Sequence, residues 1–271
     1  MLPPLVEIRE LTKVYHRGGG ILSRDSGEEF RAVSEISLDI FPGETLGLVG
    51  ESGCGKTTLG RMILRLVEAT SGSVHFDGRD VLAASNSELR RLRRDMQIVF
   101  QDPFASLNPR MRIFDVVREP WIIHGDGPGG TNGSAGHRSR AAELLNEVGL
   151  HESALDRYPH EFSGGQRQRI GIARALALKP RFVVLDEPVS ALDVSVGAQI
   201  VNLLAKLQRD FGLTYLFISH SMPIVRYLST RIAVMRKGEI VELDNAERIT
   251  SSPRHEYTRT LLMATPEVEG F

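Results

Sequence analysis

Cysteine is almost absent from this 271-residue chain, since Cys54 is the only one. A single thiol can form neither an intrachain disulfide nor a cysteine-rich zinc cluster. Long apolar runs are also lacking, because no uninterrupted stretch approaches the roughly 20 residues of a membrane-spanning helix. The first residues, MLPPLVEIRE, contain no basic region followed by an apolar run, so no signal peptide is expected. These absences predict a cytoplasmic protein that reaches a membrane only through a partner.

A strong net charge is lacking as well: 33 basic and 34 acidic residues give a formal charge of -1. This balance argues against a nucleic-acid partner that is bound by bulk positive potential. We interpret the run ELRRLRR at 88–94 as the solvated face of a helix, with nucleic acid or acidic lipid as alternative ligands. Apolar residues make up 41% of the chain, enough for a sizeable core. The length allows one large α/β domain with appendages or two small domains.

Short β-rich runs alternate with helical patterns along the chain. The runs predicted as strands are 5–9, 44–49, 73–77, 96–100, 182–186, 214–218, 231–235 and 239–243. The apolar spacing predicts helices over 56–67, 139–149, 166–178 and 196–210. This alternation predicts an α/β fold with a largely parallel sheet. The stretch 103–178 has few strand signals, so we interpret it as an inserted helical subdomain; it contains a glycine-rich loop or linker at 125–136.

The segment GESGCGKTT at 50–58 is the strongest chemical signal. It fits G-x-x-x-x-G-K-[ST], follows the apolar run TLGLV and precedes a helical pattern, which is the context of a phosphate-binding loop. Its glycines would let backbone N–H groups close around phosphate oxygens: Gly50, Gly53 and Gly55. Lys56 would reach the terminal phosphates, and the Thr57 hydroxyl would bind Mg²⁺. The alternative is a glycine-rich turn that binds nothing.

Cys54 lies inside this segment, at the start of the predicted helix. A helix N-terminus can favour a thiolate, so a reactive thiol is one hypothesis. An inert buried thiol is the alternative.

The segment RFVVLDEP at 181–188 is the second signal, because an apolar run ends there in two carboxylates. Such a run is typical of a strand buried on both faces, whose carboxyl end is where parallel sheets bind ligands. Asp186 suits the coordination of Mg²⁺, and Glu187 suits the positioning and polarisation of an attacking water. The alternative is a pair of solvated acids at the end of a strand.

The segment EFSGGQRQR at 161–169 contains no obvious catalyst. Ser163 and Gln166 have the S-x-x-Q spacing of a capping box at the start of a helix. Gly164 and Gly165 would expose backbone N–H groups there, which predicts an anion site. A capped helix with no ligand is the simpler alternative. A phosphate at this second element could belong to the same nucleotide or to that of another molecule.

Together, the three segments resemble the Walker A loop, the Walker B strand and the signature of ABC transporter ATPases, and the resemblance covers residues 5 to 264. It implies the P-loop NTPase core of the ABC type, with an antiparallel β portion and an inserted helical subdomain. The implied single domain has its α/β core at 1–102 and 179–245, its helical subdomain at 103–178 and a C-terminal tail at 246–271. ATP and Mg²⁺ are the implied cofactors.

The resemblance also implies roles for individual residues. The whole loop would bind ATP: Gly50, Glu51, Ser52, Gly53, Cys54, Gly55, Lys56, Thr57 and Thr58. Tyr15 would stack on adenine, with a core tyrosine as the alternative, and His220 would hydrogen-bond the γ-phosphate. Gln101 would contact Mg²⁺ and sense a membrane subunit. The segment that bridges two ATPase subunits is Ser190, Ala191, Leu192 and Asp193.

The implied mechanism is a head-to-tail dimer in which Ser163, Gly164, Gly165 and Gln166 contact the partner's ATP. Catalysis would depend on Glu187, His220 and Lys56. QDPFASLNPR and the tail SPRHEYTRTLL resemble the peptide-importer group, which takes up di- and oligopeptides, nickel or related solutes. That resemblance implies a homologous second ATPase, two membrane permeases and a solute-binding protein as partners. It also implies a location at the cytoplasmic face of the membrane.

Three features qualify the resemblance. Ser221 stands where aspartate is common, and Val189 where threonine is common, although neither position carries the chemistry. The tail has no cysteine, so no iron–sulfur cluster is expected.

Two alternative functions stay open. One is an ATPase of a soluble assembly, such as the carbon–phosphorus lyase machinery, and the second is a regulator that binds ATP without hydrolysis. The second would predict degraded motifs, whereas Glu187, His220 and the signature are intact. The solute and the choice between homodimer and heterodimer stay open.

Overall fold

The structure, a computed structural model, describes residues 3–16, 29–125 and 134–264. The chain divides into two compact units. The first unit comprises Met1–Ser85 and Leu216–Phe271, and the second comprises Asn86–Tyr215. The glycine-rich segment predicted at 125–136 lies outside the described residues over 126–133, and the predicted tail is described as far as 264.

The described residues form strands and helices in an alternating order. The strands are β1 (Val6–His16), β2 (Glu29–Ile40), β3 (Thr45–Val49), β4 (Ser71–Phe76), β5 (Arg79–Asp80), β6 (Met96–Val99), β7 (Phe182–Asp186), β8 (Thr214–Ser219), β9 (Arg231–Arg236) and β10 (Glu239–Asn245). The helices are α1 (Lys56–Ile63), α2 (Asn86–Asp95), α3 (Ile113–His124), α4 (Ser134–Glu147), α5 (Gly164–Leu176), α6 (Val194–Phe211), α7 (Met222–Leu228), α8 (Ala246–Ser251) and α9 (Glu256–Met263).

The first unit contains an antiparallel sheet and most of the strands of a mixed sheet. The antiparallel sheet has the order β2-β1-β4-β5, and the mixed sheet runs β10-β9-β3-β8 within this unit. Strand β3 pairs in parallel with β9, while β10 returns antiparallel to β9. All five residues of β3 are buried, as expected of a strand that is covered on both faces. This buried strand fixes the position of the loop that follows it.

The second unit is mainly helical. Helices α3, α4 and α6 all pack against α5, and the parallel pair β6 and β7 completes the unit. The indole Nε1 of Trp121 donates a 2.7 Å hydrogen bond to the carbonyl oxygen of Ala177, which ties α3 to the end of α5. Every residue of β7 is buried, so the residues at its carboxyl end are held by a fixed strand.

The eight predicted strands and four predicted helices are confirmed; most of their ends shift by a few residues, whereas the first strand, predicted over 5–9, continues to His16. The mixed α/β architecture with an antiparallel portion is likewise confirmed. The arginine-rich run lies in α2, where Leu89 and Leu92 face the core while Arg90 and Arg91 are exposed, as a solvated helix face requires. Among the helices of the described ranges, none combines the length and the apolarity that crossing a bilayer requires.

Candidate active site

The predicted phosphate loop connects β3 to α1 in the first unit. Two of its glycines are required by close packing. A Cβ atom on Gly50 would lie 2.1 Å from the carbonyl oxygen of Met235, and one on Gly55 would lie 2.0 Å from that of Ala32. Gly55 also has φ 110°, in the left-handed region that favours glycine. The glycines therefore let the loop pass directly over neighbouring backbone, so they serve the fold as well as any ligand.

The ammonium of Lys56 is buried against this same loop. Its Nζ donates hydrogen bonds to the carbonyl oxygens of Gly50 at 2.8 Å and Glu51 at 2.9 Å, and the side chain is only 4% exposed. Burial of an ammonium is costly unless its three protons find acceptors; the two carbonyls supply two, and Cys54 Sγ, 3.8 Å from Nζ, is a weak third. Any anion that enters the loop would compete with these carbonyls for the ammonium.

The hypothesis of a reactive Cys54 is wrong. The thiol is 8% exposed, and burial raises its pKa, with the nearby Lys56 ammonium only partly opposing that effect. A thiolate is disfavoured where water cannot solvate it, and this effect outweighs the helix terminus and the lysine together. Cys54 is thus the inert buried thiol of the alternative interpretation.

The remaining loop residues are accessible. Glu51 and Ser52 are exposed, and Thr57 and Thr58 are half-buried in the first turn of α1. The first turn of α1 contains no acidic residue, so its N–H groups and partial positive charge face no competing carboxylate from that turn. Both features suit a bound anion.

Two further predicted residues lie in the first unit. Tyr15 is near the end of β1 and is 41% exposed, so a core tyrosine is excluded. Lys13 places its Nζ 5.0 Å from the centre of the Tyr15 ring. His220 is exposed directly after β8, whose six residues are all buried. Both side chains are therefore accessible to a ligand.

One residue that contacts the loop, Tyr257, is not among those predicted from the sequence. The hydroxyl of Tyr257 in α9 accepts a 3.1 Å hydrogen bond from the backbone N–H of Glu51. The segment SPRHEYTRTLL had suggested only a subgroup resemblance, and no local pattern links it to residues about 200 positions earlier.

The predicted catalytic carboxylate meets the predicted Gln101 in the second unit. Gln101 Nε2 donates a 3.2 Å hydrogen bond to Glu187 Oε2. Asp186, the last residue of β7, is 1% exposed, whereas Glu187 is half-buried and has φ 46°. Left-handed backbone is unfavourable for a glutamate, and here it turns the chain sharply after the strand. Ser190 holds that turn, since its N–H and hydroxyl donate to the carbonyl oxygen of Glu187.

The predicted capping box is confirmed. Ser163 Oγ accepts from the N–H of Gln166 at 3.3 Å, and Gln166 Oε1 accepts from the N–H of Ser163 at 3.0 Å. Ser163 and Gln166 are exposed, while Gly165 is buried. A Cβ atom on Gly165 would lie 2.3 Å from Cγ1 of Val196 in α6. Gly165 is therefore required by packing within the chain, in addition to any role in anion binding.

The segment Ser190 to Asp193 lies between β7 and α6, with Ser190, Ala191 and Asp193 exposed. Asp193 caps α6, because its Oδ1 accepts from the N–H of Val196 and from the hydroxyl of Ser195, both at 2.9 Å. These hydrogen bonds, that of Val196 first, hold the pKa of Asp193 below its usual range. The carboxylate thus stays charged while the segment remains accessible.

The geometry agrees with what comparison with known proteins finds. The model of the ABC transporter family matches residues 33–190, more than half of the chain. The chain belongs to this family. The predicted resemblance to ABC ATPases, and with it the predicted fold type, is confirmed.

Two relatives and one solved structure make the family relationship specific. The chain is 51% identical over 97% of its length to the oligopeptide transport ATP-binding protein OppD of Mycobacterium tuberculosis. It is 51% identical over 98% of its length to the glutathione import ATP-binding protein GsiA of Escherichia coli. It spans about two fifths of the length of these curated relatives, 42% of each. A dimeric ATP-binding cassette, solved in a post-hydrolysis state with ADP and Pi, matches with a TM-score of 0.77 and 32% identity over 89% of this chain and 98% of its own.

Proposed function

We propose that this chain is the ATP-hydrolysing subunit of an ABC importer for di- or oligopeptides or a related solute. The observation that carries the proposal is the loop between β3 and α1, in which Lys56 is held by the carbonyls of Gly50 and Glu51. This buried ammonium beside a helix N-terminus is suited to a polyphosphate. The names of the relatives, an oligopeptide transporter and a glutathione importer, support the class of solute.

Binding of ATP uses the accessible parts of the first unit. The loop residues from Gly50 to Thr58 surround the phosphates, and Lys56 exchanges its carbonyl partners for phosphate oxygens. Tyr15, exposed at the end of β1, stacks on the adenine ring. His220, exposed after β8, hydrogen-bonds the γ-phosphate. Tyr15 and His220 are accessible without any change in the core.

Magnesium fits the available donors. The hydroxyl of Thr57, the side-chain oxygen of Gln101 and the carboxylate of Asp186 are all hard oxygen ligands, which Mg²⁺ prefers. A bound Mg²⁺ would neutralise charge on the phosphates of the substrate. Asp186 is almost fully buried, a setting in which a carboxylate is stabilised by a cation.

Hydrolysis depends on Glu187. Its carboxylate polarises the attacking water and accepts a proton from it, while the amide of Gln101 holds the carboxylate through the 3.2 Å hydrogen bond. The sharp turn after β7, fixed by Ser190, restricts where the carboxylate can point. Positioning of this kind is the main contribution that a protein makes to phosphoryl transfer.

The second half of each ATP site comes from a partner ATPase. Ser163, Gly164, Gly165 and Gln166 contact the partner's ATP, and the segment from Ser190 to Asp193 bridges the two subunits. The solved relative is dimeric, which supports this arrangement. Two membrane permeases and a solute-binding protein complete the importer, at the cytoplasmic face of the membrane. In the proposed division, 1–102 and 179–245 form the α/β core, 103–178 the helical subdomain and 246–271 the tail.

The proposal is tested by nucleotide binding and by copurification. The purified chain should bind a fluorescent ATP analogue in the presence of Mg²⁺, and Lys56→Ala should weaken that binding by at least about tenfold, as loss of a charged hydrogen bond predicts. Lys206→Ala, on α6, is the matched control. Membrane permeases should copurify with the chain from native membranes. Equal binding by Lys56→Ala and the wild type would contradict the site, and copurification with soluble enzymes alone would contradict the importer.

A further inference from the structure

The C-terminal helix α9 contacts the phosphate loop through one side chain. The hydroxyl of Tyr257 accepts from the N–H of Glu51 at 3.1 Å, and the carbonyl of Glu51 accepts from Lys56 Nζ at 2.9 Å. Glu51 is thus held from both sides, by the tail at its N–H group and by the catalytic lysine at its carbonyl. All three residues belong to the first unit.

The tail is attached to the first unit by a separate set of hydrogen bonds. The carboxylate of Glu242 in β10 accepts from the N–H groups of Arg254 at 2.8 Å and His255 at 3.1 Å. His255 then caps α9, because its Nδ1 accepts from the N–H of Tyr257 at 3.1 Å. The position of the Tyr257 side chain is therefore fixed by the docking of the whole helix start.

The ring of Tyr257 is packed in place. The residue is 6% exposed, and the guanidinium carbon of Arg236 lies 4.9 Å from the ring centre. Burial raises the pKa of the Tyr257 hydroxyl, only partly opposed by the hydrogen bond from Glu51, so the group stays neutral at physiological pH. A neutral hydroxyl can accept from the loop N–H and still donate to another acceptor.

The two hydrogen bonds to Glu51, from its N–H to Tyr257 and from Lys56 to its carbonyl, are expected to respond differently when ATP binds. Under the proposed function, we expect the Lys56 ammonium to turn from the carbonyls of Gly50 and Glu51 toward the phosphates. The charged hydrogen bond from Lys56 to the carbonyl of Glu51 is then lost, which leaves that carbonyl the longer bond from the Cys54 N–H at 3.3 Å, while the hydrogen bond from the Glu51 N–H to Tyr257 persists. The exposed side chain of Glu51 has no core packing to replace the lost bond.

We propose that Tyr257 is a positioning residue for the phosphate loop, whose hydroxyl fixes Glu51 while the Lys56 ammonium moves from the loop carbonyls to the nucleotide. This inference rests on the proposed function. Without the hydroxyl, the loop gains freedom that the nucleotide must remove on binding, so affinity falls. Chemistry at Glu187 does not involve this contact, so turnover of bound ATP is unaffected.

The first test compares Tyr257→Phe with the wild type. Loss of one hydrogen bond to the loop should raise the Kd of MgATP about 3- to 10-fold. We expect kcat to change less than about twofold and Tm less than about 3 °C, because the ring is retained. Tyr227→Phe is the matched control, since Tyr227 is a half-exposed tyrosine on α7 of the same unit. A change in kcat together with a large fall in Tm would indicate a merely structural role and overturn the proposal.

A second measurement reads the contact directly. In the nucleotide-free protein, Tyr257→Phe should shift the amide resonance of Glu51 and speed its hydrogen exchange, whereas Tyr227→Phe should leave both unchanged. Unchanged Glu51 resonance and exchange in Tyr257→Phe overturn the proposal. If the wild type does not bind MgATP, the proposed function fails, but this measurement still decides whether Tyr257 holds the loop.

A third variant tests whether the docking of α9 positions the Tyr257 hydroxyl. Glu242→Ala removes the acceptor that docks the start of α9, so it should raise the Kd of MgATP by a similar factor. The double variant Glu242→Ala and Tyr257→Phe should bind MgATP no more weakly than the more affected single variant, since both changes remove the same contact with the loop. If the two changes raised the Kd of MgATP multiplicatively, the two residues would act separately, and this would contradict the positioning of the hydroxyl by the docked tail.

Discussion

Gln101 Nε2 lies 3.2 Å from Glu187 Oε2, so the amide donates to the carboxylate that is proposed to polarise the attacking water. The two residues are 86 positions apart and lie after different strands, β6 and β7, which pair in parallel. A side-chain amide is a neutral donor, so it orients the carboxylate without neutralising it. The contact thus joins the residue proposed to sense the membrane subunit to the residue proposed to act in hydrolysis.

Glu187→Gln should separate binding from hydrolysis. The new amide keeps an oxygen that can accept from Gln101, so the fold and ATP binding should persist. An amide cannot accept a proton at neutral pH, so ATP hydrolysis in the assembled complex should fall at least about 100-fold. The checks are the rate of phosphate release and the Kd of MgATP. Glu152→Gln, at an exposed glutamate of the same unit, is the control, and near-normal turnover by Glu187→Gln would contradict the assignment.

Cys54 should react slowly with maleimide in the folded protein. Burial keeps its pKa above the ordinary thiol value, so less of the thiol is present as the reactive thiolate, and the buried sulfur is hard for the reagent to reach. We therefore expect labelling to be slower than at an exposed thiol. Ser139→Cys in a Cys54→Ala background, on the solvated face of α4, provides that reference. Equal labelling rates at the two positions would contradict the buried assignment.

The sequence predicted the buried strands well because each is a continuous apolar run. β2 was missed, because polar and acidic residues divide Glu29–Ile40 into short apolar pieces; its buried residues are Ala32, Val33, Ile36, Leu38 and Ile40. α3 was predicted only as part of a helical stretch, because Pro120 interrupts its pattern, although the helix continues through it. In both cases tertiary packing outweighs the local signal.

The site was predictable where chemistry depends on local spacing. The phosphate loop, the capping box and the pair of acids each occupy a short segment, and a capped helix or a buried strand places them. The contact of Tyr257 with Glu51 depends on residues that are 206 positions apart, and it is made by a hydroxyl and a backbone N–H group. Nothing in a local pattern specifies such a pair. The error at Cys54 has the same origin, because burial by distant residues outweighs its local position.

Gly165→Ala should destabilise the second unit. The added Cβ would lie 2.3 Å from Cγ1 of Val196, and overpacking of this kind costs about 1–3 kcal/mol. The better helix propensity of alanine returns at most about 1 kcal/mol, so the net effect is a loss of stability. Urea denaturation measures it. Val196→Ala removes the obstructing methyl group, so the double variant should be more stable than the sum of the single changes predicts. Strict additivity would show that the glycine does not serve this packing.

Ser163→Arg should disable the ATP site of the partner. Ser163 and Gln166 cap α5 and are exposed, so this helix start can meet a γ-phosphate from the side that a phosphate loop leaves open. The arginine would block that approach, while ATP binding at this chain's own Lys56 loop should be retained. Ser153→Arg, at an exposed serine of the same unit, is the control for added bulk and charge. Binding of MgATP by the isolated variant is the first measurement.

Mixing variants decides whether the signature acts across the interface. In a homodimer, one Ser163→Arg subunit and one Lys56→Ala subunit place both lesions in one ATP site and leave the other intact, so hydrolysis should partly return. If the signature acted within its own chain, each site would carry one lesion and no activity would return. In a heterodimer the readout is which subunit's bound nucleotide fails to turn over, followed by photoaffinity labelling. Failure confined to this chain's own nucleotide would place the action of Ser163 within the chain. Failure at the partner's nucleotide is the expected result, because a capped helix start without a phosphate of its own needs a second molecule to supply one.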